Sequence, residues 1–317
     1  MQFFHFLAGL VVYFVALYVD YKLLRYLWKP IYIVGLFLLL ITYMLGEVRS
    51  GSARWINLVF ISIQPSELAK IVLVIFIASF VSYYHVSLNK PKRLAFLGAL
   101  LVPLFFLVFI QPDLGTTLTL IAVTLGMLFF TNLNKLYYLV LFIIGGISSA
   151  PVWNLLQDYQ KNRILVFLNP QMDVLGSGYN VIQSLIAVGS GGWLGKGFSH
   201  GTQTHLNFLP AHWTDFIFAS FAEEWGFVGV LVFLVLYMAL LLTLLYMVFR
   251  VKDNFGMLLC AGVFFVFFVQ FVINVGMNLG LMPVTGLPLP LVSYGGSSLL
   301  VSMCLLGIAQ SVWVRNT

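Results

Sequence analysis

The sequence predicts an all-α polytopic membrane protein of about nine transmembrane helices with a long extracytoplasmic loop. Three observations carry this. Of 317 residues, 61% are hydrophobic and 8% charged, where a soluble domain carries about 25% charged residues. The apolar runs exceed the ~17 residues that a bilayer requires, and they lack strand alternation, so they read as helices rather than barrel strands. The remaining charges gather in short tracts between the runs.

Taken in order, the spans are expected near 3–19, 31–46, 67–88, 94–110, 114–130, 136–153, 227–249, 255–276 and 297–313. Gln2–Val19 runs straight into Asp20–Arg25 without a small-residue cleavage site, so it reads as a span and not a cleaved leader. Asn254–Val314 is too long for one span. Pro283, Gly286, Pro288, Pro290 and the Gly295–Gly296 pair divide it into two helices around a loop. The segment 215–226 is either the first turns of the seventh span or a short helix leading into it. The whole chain, 1–317, reads as one integral-membrane domain, with 154–213 as its long loop.

Loop charge orients the spans. One set of short loops holds Lys22, Arg25, Lys29, Lys90, Lys92, Arg93, Lys135, Arg250, Lys252 and Arg315, while the opposite set holds Arg49 and Arg54. The basic set is expected to face the cytoplasm, with the C-terminus inside and the N-terminus outside. The net charge of +6 is accounted for by these loops. No compact basic, aromatic-interleaved patch is read from the sequence, and no nucleic-acid partner is expected. Cys260 and Cys304 lie in apolar spans without metal-ligand spacing and read as buried free thiols.

Four polar stretches fall on the opposite side. In Gln64–Lys70, Pro65 suits a first helical turn, Gln64 or Ser66 can help cap it, and Glu67 and Lys70, three apart, can pair. Arg49, Arg54 and Trp55 form a rim before them. In Gln111–Thr117, Asp113 either caps the fifth span or joins a polar site, with Gln111 beside it. In the long loop, Arg163 and Lys196 lie near glycine-rich backbone of the kind that presents N–H groups to phosphate. Asn180–Val188 has the apolar character of an interfacial or re-entrant helix. His200, His205 and His212 lack a metal spacing.

The last stretch holds three of the ten acidic residues: Asp215, Glu223 and Glu224. On a helix Glu223 lies roughly 80° around from Asp215 and Glu224 roughly 180°. They do not form one paired-carboxylate site. A single carboxylate near a low-dielectric boundary can serve as a general base, or Asp215 can simply cap the helix that follows. From the residues alone, an enzyme acting on a lipid-linked anionic substrate and a transporter of one both remain open.

The strings GSARWINLVFISIQPSELAK (51–70), QPDLGTTLTL (111–120), NRILVFLNPQMDVLGSGYNVIQS (162–184), GSGGWLGKGFSHGTQT (189–204), TDFIFASFAEEWG (214–226) and NVGMNLGLMPVTGLPLPLVSYGGSS (274–298) closely resemble the SEDS family (shape, elongation, division and sporulation), in its elongation branch. The resemblance covers nearly the whole chain. It implies a peptidoglycan glycosyltransferase that polymerises lipid II, an undecaprenyl-pyrophosphate-linked disaccharide-pentapeptide, on the outer face of a bacterial plasma membrane. A class B penicillin-binding protein is the implied partner, with membrane lipid around both.

Asp215 matches the family's catalytic aspartate, and Trp55 a functionally important tryptophan. With Asp215 as base, Arg54, Arg163, Lys196 or a divalent cation such as Mg2+ would steady the leaving pyrophosphate. Thr214 and Trp55 would join them around the substrate, and Glu67, Lys70, Gln111 and Asp113 would shape the cavity. A lipid II flippase and a non-catalytic scaffold are the rival roles. Three departures from the family pattern stand out. Residues 3–19 match the family's second span. Pro210-Ala211-His212-Trp213-Thr214-Asp215 replaces a Pro-Glu-x-His-Thr-Asp motif. Leu185 stands where many relatives have Lys.

Overall fold

The computed structural model describes residues 2–49, 52–57, 62–84, 89–131, 133–173, 176–206 and 208–316. The helices are α1 (Gln2–Tyr18), α2 (Tyr21–Leu45), α3 (Pro65–Tyr84), α4 (Pro91–Ile110), α5 (Leu114–Phe129), α6 (Lys135–Leu155), α7 (Asp158–Leu168), α8 (Ser177–Ser190), α9 (Thr202–His205), α10 (Ile217–Arg250), α11 (Asn254–Asn278) and α12 (Gly296–Asn316). Among the described residues, α2, α3, α4, α10, α11 and α12 are long and apolar enough to cross a membrane. Shorter apolar helices in α1, α5 and α6 complete the nine runs expected from hydropathy.

Two features depart from the sequence expectation. The second span begins at Tyr21 rather than near 31, because the Asp20 carboxylate accepts the Lys22 N–H at 2.9 Å and caps the helix. Lys22, Arg25 and Lys29 therefore ride on α2 instead of lying in a loop. A small antiparallel meander of β1 (Glu47–Arg49), β2 (Ser52–Asn57) and β3 (Ser62–Ile63), ordered β1-β2-β3, interrupts the otherwise helical fold. The stretch 154–213 is itself largely helical, carrying α7, a 3-10 turn at Pro170–Asp173, α8 and α9.

The chain groups into two compact units: Met1–Gly145 with Leu242–Val269 and Gly296–Thr317, and Gly146–Leu241 with Gln270–Gly295. In the first unit α3 is buried on nearly every side, from Ser66 through Val81. α1 packs along α12. The Arg315 guanidinium donates to the Leu17 and Tyr18 carbonyls at 2.9 and 2.7 Å, and Ser311 Oγ donates to Val19 O at 2.7 Å. These bonds satisfy the carbonyls that a helix end leaves without partners.

One expectation about charge is corrected in this unit. Arg25, Tyr26, Trp28 and Lys29 meet Ser79 and Tyr83 around one cavity, so a basic, aromatic-interleaved patch does exist. Half of it comes from α3, which the sequence places some fifty residues away. In the second unit a small core of Ala187, Leu209, Phe216 and Ala219 holds α8 against the entry to α10.

Candidate active site

Asp215 sits in the turn before α10, in the second unit, and is half-buried. The three consecutive carbonyls leading through it are each held. Trp213 O accepts the Tyr294 N–H at 2.8 Å, and Thr214 O accepts Ser293 Oγ at 2.6 Å. Asp215 O accepts the side-chain amides of Asn274 and Asn278, both at 3.0 Å. The two asparagines are one helical turn apart on α11 and fully buried. Asn274 also donates to Leu287 O at 2.8 Å, and Asn278 Oδ1 accepts the Ala219 N–H at 3.1 Å. Buried amides require such partners, and here the partners fix the backbone that carries the carboxylate.

Ala211 closes the turn from the other side. Its carbonyl accepts the N–H groups of Thr214, Asp215 and Phe216, and its φ is +54°. The Thr214 hydroxyl reaches both the Ala211 carbonyl, at 3.2 Å, and the Asp215 carboxylate. His212 is turned to the Leu209 carbonyl through Nδ1 at 3.0 Å and tilts against Trp213.

Arg163, on α7, borders the same place. Its guanidinium donates to Thr285 O at 3.2 Å and lies over the Tyr159 ring. Gly286, at φ +73°, lets the two charges approach: an added Cβ would sit 3.5 Å from Asp215 Oδ2 and 3.9 Å from Arg163 Nη1. Burial pushes the Asp215 carboxyl above its ordinary range, while the Arg163 charge and the Thr214 hydroxyl pull it part of the way back.

Lys196 is placed differently from the expectation. Its ammonium donates to Glu223 Oε1 at 2.7 Å and to Thr202 Oγ1 at 2.8 Å. The Glu223 carboxylate, fully buried, also accepts the Gln203 and Thr204 N–H groups and the Thr204 hydroxyl. Nor does the glycine-rich backbone here offer its N–H groups to a phosphate. α10 is interrupted at Gly226, at φ 63° and ψ −166°, and the loop 191–197 fills the gap. Lys196 N and Gly197 N donate to the Glu223 and Glu224 carbonyls at 3.0 Å each, and Phe227 N and Val228 N donate to the Gly192 and Trp193 carbonyls at 2.8 and 3.1 Å. The segment before Gly226 is thus a short helix leading into the span. Glu223 and Asp215 serve separate networks, as their angular spacing implied.

The remaining candidates belong to the first unit. Asp113 caps α5 by accepting Thr116 N at 3.2 Å and Thr116 Oγ1 at 2.9 Å, and it also accepts Ser66 Oγ at 2.9 Å and Gln64 Nε2 at 3.2 Å. It ties the start of α3 to the start of α5. Glu67 and Lys70 pair at 2.6 Å, with side chains 3% and 1% exposed. Gln111 donates to Leu39 O at 2.8 Å. The side chains of Arg54 and Trp55 lie outside the described residues, as does that of His205. Among the described residues no three His, Cys, Asp or Glu side chains gather as metal ligands. No step below runs through a metal.

Asn274, Asn278 and Ser293 were not singled out individually from the sequence. A signal existed: two asparagines four apart in an apolar run share one helix face and each requires a buried partner.

Fold and site together define a multi-pass helical membrane protein that holds one carboxylate beside one guanidinium in a backbone clamp. The chain belongs to the FtsW/RodA/SpoVE family, described as cell cycle proteins, whose sequence pattern matches residues 1–317. It is 41% identical over 293 residues to the peptidoglycan glycosyltransferase MrdB of Escherichia coli K12, covering 90% of this chain and 77% of that one. It is 34% identical over 357 residues to the peptidoglycan glycosyltransferase RodA of Treponema pallidum, covering 89% and 82%. A solved structure described as "Structural coordination of polymerization and crosslinking by a peptidoglycan synthase complex" superposes with a TM-score of 0.84 at 34% identity, over 99% of this chain and 89% of that one. The crystal structure of the rod shape determining protein RodA of Thermus thermophilus gives 0.74 at 27% identity, over 99% and 87%. The chain is a multi-pass protein of a bacterial inner membrane.

Proposed function

We propose that this chain is a peptidoglycan glycosyltransferase that polymerises lipid II during cell elongation, with Asp215 as its general base. The observation that carries the reading is the clamp on the carbonyls of residues 213–215, which holds a half-buried carboxylate beside Arg163. Its upward-shifted affinity for protons suits a base working near neutral pH. The curated relatives named peptidoglycan glycosyltransferases supply the reaction class.

In this reading Asp215 takes the proton of the acceptor sugar hydroxyl. The hydroxyl oxygen bonds to the anomeric carbon of the donor, and the bond from that carbon to the lipid pyrophosphate breaks, its electron pair leaving with the phosphate. Arg163 faces the developing negative charge, where a fixed cation is worth most in a site shielded from water. Thr214 supports the base, and Arg54 and Trp55 keep the substrate-binding role that the sequence resemblance implies for them. Lys196, held by Glu223 and Thr202, contributes by fixing the loop that bridges α10. Glu67, Lys70, Gln111 and Asp113 hold the first unit together. The site faces the extracytoplasmic side, the C-terminus lies in the cytoplasm, and a class B penicillin-binding protein crosslinks the product.

The test is polymerisation of purified lipid II by the purified chain with its cognate penicillin-binding protein, comparing wild type with Asp215→Asn. Loss of a general base costs about 10²–10⁴-fold, so glycan strands should form with wild type and fall by at least a hundredfold with a folded, partner-binding variant. Equal polymer from both would remove Asp215 from the mechanism. No polymer from either, with lipid II still crossing vesicle membranes, would favour a flippase.

A further inference from the structure

We propose that the basic end of the first unit holds a binding site for an anionic phospholipid, whose phosphate is taken by Arg25, Lys29 and Ser79. These side chains line a cavity of about 730 Å³ together with Tyr26, Trp28 and Tyr83. It lies where the start of α2, the end of α3 and the start of α4 converge.

Three observations converge on a phosphate ligand. The Ser79 hydroxyl is buried, with the residue 1% exposed, and it has no hydrogen-bond partner among the described residues. A buried hydroxyl without a partner is costly, and a bound oxyanion would accept its proton. Among the described residues, neither Arg25 nor Lys29 is ion-paired and no carboxylate lines the cavity. Lys29 sits over the Trp28 ring, and a third cation, Arg93, stacks on Tyr84 at the edge of the cavity, 4.6 Å from the ring centroid.

Two further observations select a lipid over a soluble phosphate. The wall is aromatic: Phe80 lies 4.8 Å from Tyr84 and 5.9 Å from Phe96, ring to ring. The rim is the apolar-to-charged boundary of three predicted spans, with Tyr26 and Tyr83 79% and 74% exposed. Tryptophan and tyrosine settle at headgroup depth, and basic pockets between helices at that depth accept acidic headgroups. The proposal does not depend on the glycosyltransferase reading, since it uses none of the residues assigned to that site.

The test is native mass spectrometry of the full chain after equilibration in mixed micelles with equal phosphatidylglycerol and phosphatidylcholine. Wild type should retain phosphatidylglycerol over phosphatidylcholine by about tenfold, two cations each adding to the attraction for an acidic headgroup. Arg25→Gln with Lys29→Gln should abolish the preference. Ser79→Ala should weaken it severalfold while leaving lipid-free thermal stability equal or higher, because it removes a buried polar group that has no partner. That arm stands even if the double variant does not fold. Equal retention by wild type and Ser79→Ala, or equal retention of the two lipids by wild type, would overturn the site. Binding of soluble glycerol phosphate as tight as that of the lipid would overturn the lipid as its occupant.

Discussion

The Asp215 carboxylate feels two opposed influences, and their order sets a pH dependence. Burial raises its proton affinity, and the Arg163 charge lowers it. In the role proposed for it, Asp215 works only when deprotonated, so activity is lost as pH falls through its pKa. The acid limb of kcat/KM against pH should therefore lie above the ordinary aspartate value of about 3.9. Arg163→Gln removes the lowering influence, so the limb should move to higher pH, whatever happens to the maximal rate. A limb that stays put or moves down would show that Arg163 does not act on Asp215. Asp215 stands out as a candidate in the sequence, being one of ten acids and placed at the mouth of a span. The fate of Lys196 was not legible there. Nothing in the spacing of a glycine-rich loop reveals that a buried glutamate 27 residues on will hold its ammonium.

At the scale of elements, the sequence left open whether 215–226 is continuous with the seventh span, and the break in α10 at Gly226 decides it. A glycine in an apolar run is ordinary in a membrane helix, so Gly226 carries no local mark of a break. The break exists because the loop 191–197 supplies the hydrogen bonds that the helix gives up there, and that is tertiary information. The backbones approach so closely that only glycine fits. A Cβ on Gly226 would lie 2.2 Å from Gly195 N, and one on Gly195 would lie 2.1 Å from Glu224 O. Both positions also have positive φ, 63° and 78°. Gly226→Ala and Gly195→Ala should each destabilise by about 1–3 kcal/mol, the range for strained backbone. Because they touch, the double variant should cost less than the sum of the two, once the first has displaced the loop. Thermal unfolding of all four proteins in one detergent checks this. Strict additivity would mean that the loop and the helix break are independent.

On the scale of the whole molecule, the spans were legible because a bilayer leaves few ways to satisfy a backbone. Their grouping into two units was not, since it depends on which apolar faces meet. α3 shows why. Its residues read as one more apolar run, yet they are buried on nearly every side, and the Glu67–Lys70 pair is carried into the interior with them. A buried pair adds little net stability over well-packed apolar residues, because both charges were taken out of water, but removing one partner leaves a buried charge alone. Lys70→Met should therefore destabilise by about 3–5 kcal/mol. Glu67→Leu combined with Lys70→Met should recover most of that loss, although it removes more polar contacts. Melting temperatures of the single and double variants in detergent measure the difference. A double variant as unstable as the single would mean that the pair is held for something other than mutual neutralisation, and α3 would then be a functional helix as well as the centre of the first unit.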